Sequence, residues 1–100
     1  MNMQALMQQA QKMQKEITKK KEEIDKKKFI GNSELVEAVV TGDRKLVSVE
    51  IKNKDSIIVD DLEVLQDMIV IAVNDALGKA EEEISSVLGA YGGQFGGLLL

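Results

Sequence analysis

The sequence predicts an α+β fold in which a long helix, a three-stranded antiparallel sheet and a second long helix follow one another in the order α-β-β-β-α. Three observations carry this expectation. Apolar residues recur at helical steps from Met3 to Ile24 with neither Gly nor Pro between them. Two runs rich in β-branched residues flank Gly42-Asp43-Arg44, and a second helical pattern extends from Asp60 to about Leu88.

The first helix is expected over Met3–Lys28, with Met3, Leu6, Met7, Ala10, Met13, Ile17 and Ile24 on one face. The other face is crowded with Gln4, Gln8, Gln9, Gln11, Lys12, Gln14, Lys15, Lys19, Lys20 and Lys21, most of them strong helix formers. Phe29-Ile30-Gly31 reads as its stop, with Lys26, Lys27 and Lys28 suiting the negative end of the helix dipole. At ~1.5 Å per residue the helix is roughly 40 Å long. A strand of about eight residues spans only roughly 26 Å, so the helix overhangs the sheet as an arm.

The first two strands are expected at Leu35–Thr41 and Lys45–Lys52, joined as a hairpin. Val47, Val49 and Ile51 share one face of the second, and Val36, Ala38 and Val40 supply the matching face of the first. Leu35 and Val39 lie on the opposite face, either as scattered surface residues or as part of a contact with a second subunit. Ser56-Ile57-Ile58-Val59 is the candidate third strand. Asp60 and Glu63 then have the spacing of a helix cap.

In the second helix, Leu65, Met68, Ile69, Ala72, Ala76, Ala80, Ile84, Val87 and Leu88 form one apolar stripe. Leu62, Val64, Ile71, Val73 and Leu77 widen it in the first half, which is therefore expected to be buried on more than one side. If the two helices pair antiparallel, Met3, Leu6, Met7, Ala10 and Met13 face Ala80, Ile84, Val87 and Leu88. The domain is expected over residues 1–88, and the Gly-rich residues 89–100 read as a mobile tail. Tyr91 and Phe95 there fit hydrophobic tethers or a disordered segment better than base-stacking platforms.

Charge is divided unevenly along a chain of net charge −4. Residues 1–28 hold eight lysines against four acidic residues, whereas residues 29–100 hold five basic and thirteen acidic ones. The first helix is the basic element. There is no His or Cys, so the usual neutral-pH base, the strongest nucleophile and the commonest zinc ligands are missing. Asp60-Asp61-Glu63 fits a helix cap better than a cation site, and Asn74-Asp75 fits hydrogen bonds to neighbouring backbone or a partner subunit. No enzyme activity, cofactor, metal, membrane or small-molecule substrate is expected, and neither a signal peptide nor a bilayer-length apolar run argues against the cytoplasm.

Four segments together resemble the YbaB/EbfC family of small bacterial nucleoid-associated proteins. They are Leu6-Met7-Gln8-Gln9-Ala10-Gln11-Lys12-Met13-Gln14-Lys15-Glu16-Ile17, Val47-Ser48-Val49-Glu50-Ile51, Asp61-Leu62-Glu63-Val64-Leu65-Gln66-Asp67-Met68-Ile69 and Ala72-Val73-Asn74-Asp75-Ala76. The resemblance implies a helix, three-strand, helix protomer, a tweezer-like homodimer, and binding of double-stranded DNA in the nucleoid without catalysis. It also implies contact through the projecting parts of both long helices, here Gln8–Lys21 and the neighbourhood of Lys79.

Within that region Lys12, Lys15, Lys19, Lys20 and Lys21 would neutralise phosphates, while Gln8 and Gln11 would donate hydrogen bonds to the DNA backbone, with little sequence readout. The same lysines also suit a merely solvated helix face. The alternative function is a non-catalytic protein–protein interaction module using the helical arms or the C-terminal tail.

Overall fold

The structure, a computed structural model, describes residues 2–90. Its first helix, α1 (Met3–Lys26), starts where the Asn2 carboxamide oxygen accepts the Gln4 amide at 3.0 Å, satisfying one of the orphan donors of the first turn. It stops two residues before the expected end. Lys27 is already extended, and β1 (Lys28–Asn32) begins immediately after it.

β1 is a strand that the sequence pattern does not reveal. It pairs antiparallel with β2 (Val36–Thr41), which pairs antiparallel with β3 (Leu46–Ile51), so the sheet order follows the chain. The candidate strand at Ser56–Val59 is absent: 3-10 turns occupy Lys54–Ser56 and Val59–Asp61. The count of three strands is right, but the third precedes the hairpin instead of following it. Gly31 does not stop a helix. It lies within β1, where a Cβ would collide with the backbone of the second long helix, so its lack of a side chain lets strand and helix approach.

That helix, α2 (Leu62–Gly89), runs slightly beyond its expected end. The Asp60–Glu63 cap does not form as such. The Asp61 carboxylate instead accepts the Ile58 amide at 3.0 Å and shapes the turn that feeds α2.

The core lies between α2 and the β1–β2 half of the sheet. Ile24, Phe29, Val40, Ala76 and Ala80 form one cluster; Val36, Ala38, Leu65 and Ala72 form the other. Three alanines on α2 bring its axis close to the strands. The expected stripe of α2 is thus the packed one, with Met68, Ile69, Ile84 and Val87 partly buried at its margins.

Of the second stripe, Val73 and Leu77 pack against the core as expected, but the other three residues do not. Leu62, Val64 and Ile71 are exposed, because within one chain α2 rests on β1 and β2 and no described element covers its other flank. The alternation expected through β3 also breaks at a bulge. Val39 pairs with Ser48 but Val40 pairs with Leu46, so Val47 is the extra residue and Leu46 takes its place beside Val40. Leu46, Val47 and Val49 remain exposed, and β3 is an open edge strand. No helix among the described residues is long and apolar enough to cross a membrane.

Candidate nucleic-acid interface

At about 100° per residue, Ile17 and Ile24 point the same way from α1. Both are buried, at 3% and 6% exposure, and they mark the side that meets the body. The opposite side carries Gln8, Lys12, Lys15 and Lys19, with Gln11 at its margin, and all five are exposed. Lys20 and Lys21 flank the buried line and are exposed too. Lys26, expected only to suit the helix end, falls on the same outward side. Its signal in the sequence is the seven-residue step Lys12, Lys19, Lys26.

The pairing of α1 with α2 is antiparallel, but its register differs from expectation. Ile24 packs in the cluster of Ala76 and Ala80, and Lys21 and Ile24 share a cavity with Ile84 and Leu88. Met3 and Met7 instead stand free at 73% and 60% exposure, and Leu6 and Ala10 are exposed beside them. Chain connectivity explains the shift. Only Lys27 separates α1 from β1, so the end of α1 must sit beside the middle of α2. From Ala80 to Gly89 α2 advances about 14 Å, whereas from Ile24 back to Met3 α1 extends about 32 Å. The first three turns or so of α1 therefore outrun the described end of α2.

The cations divide by location. Most of those at the base and on the body are engaged: Lys21 with Asp25 at 3.2 Å, Lys27 with Glu83 at 2.5 Å, Arg44 with Glu81 at 3.6 Å, and Lys45 with Asp43 at 3.6 Å, whereas Lys52 donates to the Asn32 carboxamide oxygen at 3.3 Å and Lys28 and Lys54 form no ion pair among the described residues. Lys79 is engaged twice, donating to the Ile30 carbonyl at 2.9 Å and pairing with Asp75 at 3.3 Å. Among the described residues, Lys12, Lys15, Lys19, Lys20 and Lys26 form no ion pair. The structure thus groups Gln8, Gln11, Lys12, Lys15 and Lys19 on one surface and puts Lys79 elsewhere, at the junction of β1 and α2.

Asp75 accepts the Asn32 amide at 2.9 Å. That bond, with the Lys79 ammonium, holds its carboxyl below the usual carboxylate range. The expectation that this polar residue of an apolar helix bonds neighbouring backbone is met. Asp43 is lowered as well, chiefly by the Thr41 hydroxyl that donates to it. Tyr91 and Phe95 lie outside the described residues.

The arrangement offers fixed positive charge on a rod about as wide as the DNA major groove, roughly 10–12 Å. Known proteins point the same way. A nucleoid-associated protein of Enterococcus faecalis (strain ATCC 700802 / V583) is 47% identical over 92 residues, covering 90% of this chain and 88% of its own. A nucleoid-associated protein of Streptococcus suis (strain 05ZYH33) is 48% identical over 96 residues, covering 94% and 96%. The crystal structure of an uncharacterized protein from Helicobacter pylori shares the fold, with a TM-score of 0.73 at 22% identity over 93% of this chain and 99% of that one. Residues 1–95 match the YbaB/EbfC DNA-binding family, and the chain belongs to that family of bacterial nucleoid-associated proteins.

Proposed function

We propose that the protein binds double-stranded DNA as a homodimer, with little sequence specificity, and acts without catalysis in the bacterial nucleoid. The observation that carries this reading is the segregation of the cations. Among the described residues, Lys12, Lys15, Lys19, Lys20 and Lys26 line α1 without an ion pair, while Lys27, Arg44, Lys45 and Lys79 of the body are neutralised locally and the unpaired Lys28, Lys52 and Lys54 lie apart from the arm's outward face. Lys12 and Lys26 stand about 21 Å apart along the helix axis, a span over which one arm can follow several phosphates. Gln8 and Gln11 extend the surface toward the tip as uncharged donors to phosphate oxygens. Lys21 and Lys79 take a lesser part, because each ammonium already has a carboxylate partner.

Dimerisation supplies the second arm. Leu46, Val47 and Val49 on the open edge strand, with Leu62, Val64, Val70 and Ile71 on α2, leave large apolar side chains exposed on two neighbouring elements, and a second copy would cover them. The exposed Met3, Leu6 and Met7 favour a second reading, in which the arm holds a partner protein.

Titration of the purified protein into labelled duplexes of unrelated sequence, at two salt concentrations and with the oligomeric mass measured alongside, tests the proposal. Salt-sensitive binding by a dimer, similar on all duplexes, is the expected result. Absence of binding even at low salt would overturn it and turn attention to protein partners.

A further inference from the structure

The acidic block Glu81-Glu82-Glu83 lies on α2 beside a basic arm, where carboxylates would ordinarily oppose phosphate. Two of its three side chains are turned to other work. Glu83 reaches the Lys27 ammonium at 2.5 Å, and its second carboxylate oxygen is buried with no partner of its own. Glu81 reaches Arg44 at 3.6 Å in the turn between β2 and β3.

Lys27 is the single residue joining arm to sheet, and it is tied at several points. Its amide donates to the Ile24 carbonyl at 3.0 Å, its carbonyl accepts the Gly42 amide at 3.0 Å, and its ammonium lies 5.7 Å from the centre of the Phe29 ring. Gly42 is pressed so closely on the end of α1 that a Cβ there would stand 1.8 Å from the Ile24 carbonyl oxygen. The base of the arm is therefore a one-residue joint, clamped by the β2–β3 turn on one side and by the carboxylates of α2 on the other.

We infer that Glu83, assisted by Glu81, is a positioning residue that sets the angle of the arm, so that this acidic block favours DNA binding although its charge opposes phosphate. The inference rests on the DNA-binding reading above. Lys12 lies about 22 Å up the helix from Lys27, so a tilt of ~10° at the joint, with Ile17 and Ile24 shifting in their seats on the body, moves it about 4 Å. That exceeds the ~3.4 Å axial spacing of phosphates on one strand. A loosened joint thus smears the lysines across phosphate positions and weakens simultaneous contact, even though the ion pair contributes little to folding.

The two effects have opposite signs, which makes the test decisive. Glu83→Gln removes a negative charge near the binding surface. Charge alone makes binding tighter; positioning makes it weaker. In this chain, which has no Cys of its own, nitroxides attached through Gln14→Cys and Ser56→Cys report the arm-to-body distance when labelled chains are diluted with unlabelled ones.

Glu83→Gln is expected to broaden that distance distribution and weaken duplex binding by about two- to fivefold, the range a partly exposed ion pair allows. The charge swap Lys27→Glu with Glu83→Lys keeps the net charge and is expected to restore both. An unchanged distribution, or binding by Glu83→Gln as tight as the parent or tighter, would overturn the inference. Failure of the parent chain to bind any duplex would instead sink the DNA reading, and the distances would still decide the role of Glu83 in holding the arm.

Discussion

A Cβ on Gly31 would stand 2.1 Å from the carbonyl oxygen of Ala72 and 2.3 Å from the amide nitrogen of Ala76. The approach is backbone to backbone, so no side chain can swing aside to relieve it. Gly31→Ala is expected to destabilise the fold by about 3 kcal/mol, at the upper end of overpacking costs, by prising β1 from α2. Gly78 is the contrasting case: exposed, inside α2, and with nothing near its would-be Cβ. Gly78→Ala is expected to stabilise by about 0.5–1 kcal/mol through helix propensity. Denaturant midpoints moving in the same direction for both variants would contradict this packing.

Asp75 links the pH dependence of stability to the same junction. Its folded carboxyl titrates below the unfolded value because the Asn32 amide and the Lys79 ammonium favour the charged form. The stabilisation is therefore present above the unfolded pKa of about 3.9 and is lost as pH falls through the lower folded value. Asp75→Asn is expected to lower the melting temperature at pH 7, with the gap to the parent closing in acid. A gap that widens as the pH falls would contradict the assignment.

Along the arm, support ends between Ile17 and Ala10. Ile17→Ala is expected to cost about 2–4 kcal/mol, whereas Leu6→Ala, at a half-exposed site, should change stability by less than about 0.5 kcal/mol. An unsupported helical segment shorter than ~12 residues is marginal in water. Hydrogen exchange of the free protein should accordingly be fastest within α1 over Met3–Gln11 and slow from Ile17 onward. Uniform protection along α1 would mean that something covers the tip.

If the exposed apolar residues of β3 and α2 meet a second copy, a charge there should separate the protomers without unfolding them. Val49→Glu and Ile71→Glu are each expected to give the monomer mass with unchanged helicity. A dimer surviving both substitutions would move the interface elsewhere.

Much of this fold is legible in the sequence because its signals are periodic. The stripe from Leu65 to Leu88 and the line through Ile17 and Ile24 follow from spacing alone. Strand β1 is hidden because Lys26-Lys27-Lys28 and Gly31 suit a helix end as well as they suit a strand, and only the docked α2 reveals that Gly31 is needed for approach. Ile57-Ile58-Val59 has strand-like residues, yet Asn53, at φ 54°, and the Asp61 carboxylate bend that stretch into turns. Leu46 cannot be put beside Val40 without knowledge of the bulge, since a one-residue slip exchanges the faces of a strand.

Of the candidate site, the outward grouping of Gln8, Lys12, Lys15 and Lys19 follows from helical geometry. The partners of Lys79 and Lys27 do not, because they depend on contacts between residues 49 and 56 positions apart.

The most direct measurement compares the salt dependence of duplex binding for the parent and for Lys12→Gln, Lys15→Gln, Lys19→Gln combined, with helicity and mass checked in both. If these lysines contact phosphates, the slope of log affinity against log salt should flatten by about 0.9 for each phosphate no longer neutralised. An unchanged slope would show that the arm's outward face does not touch the DNA.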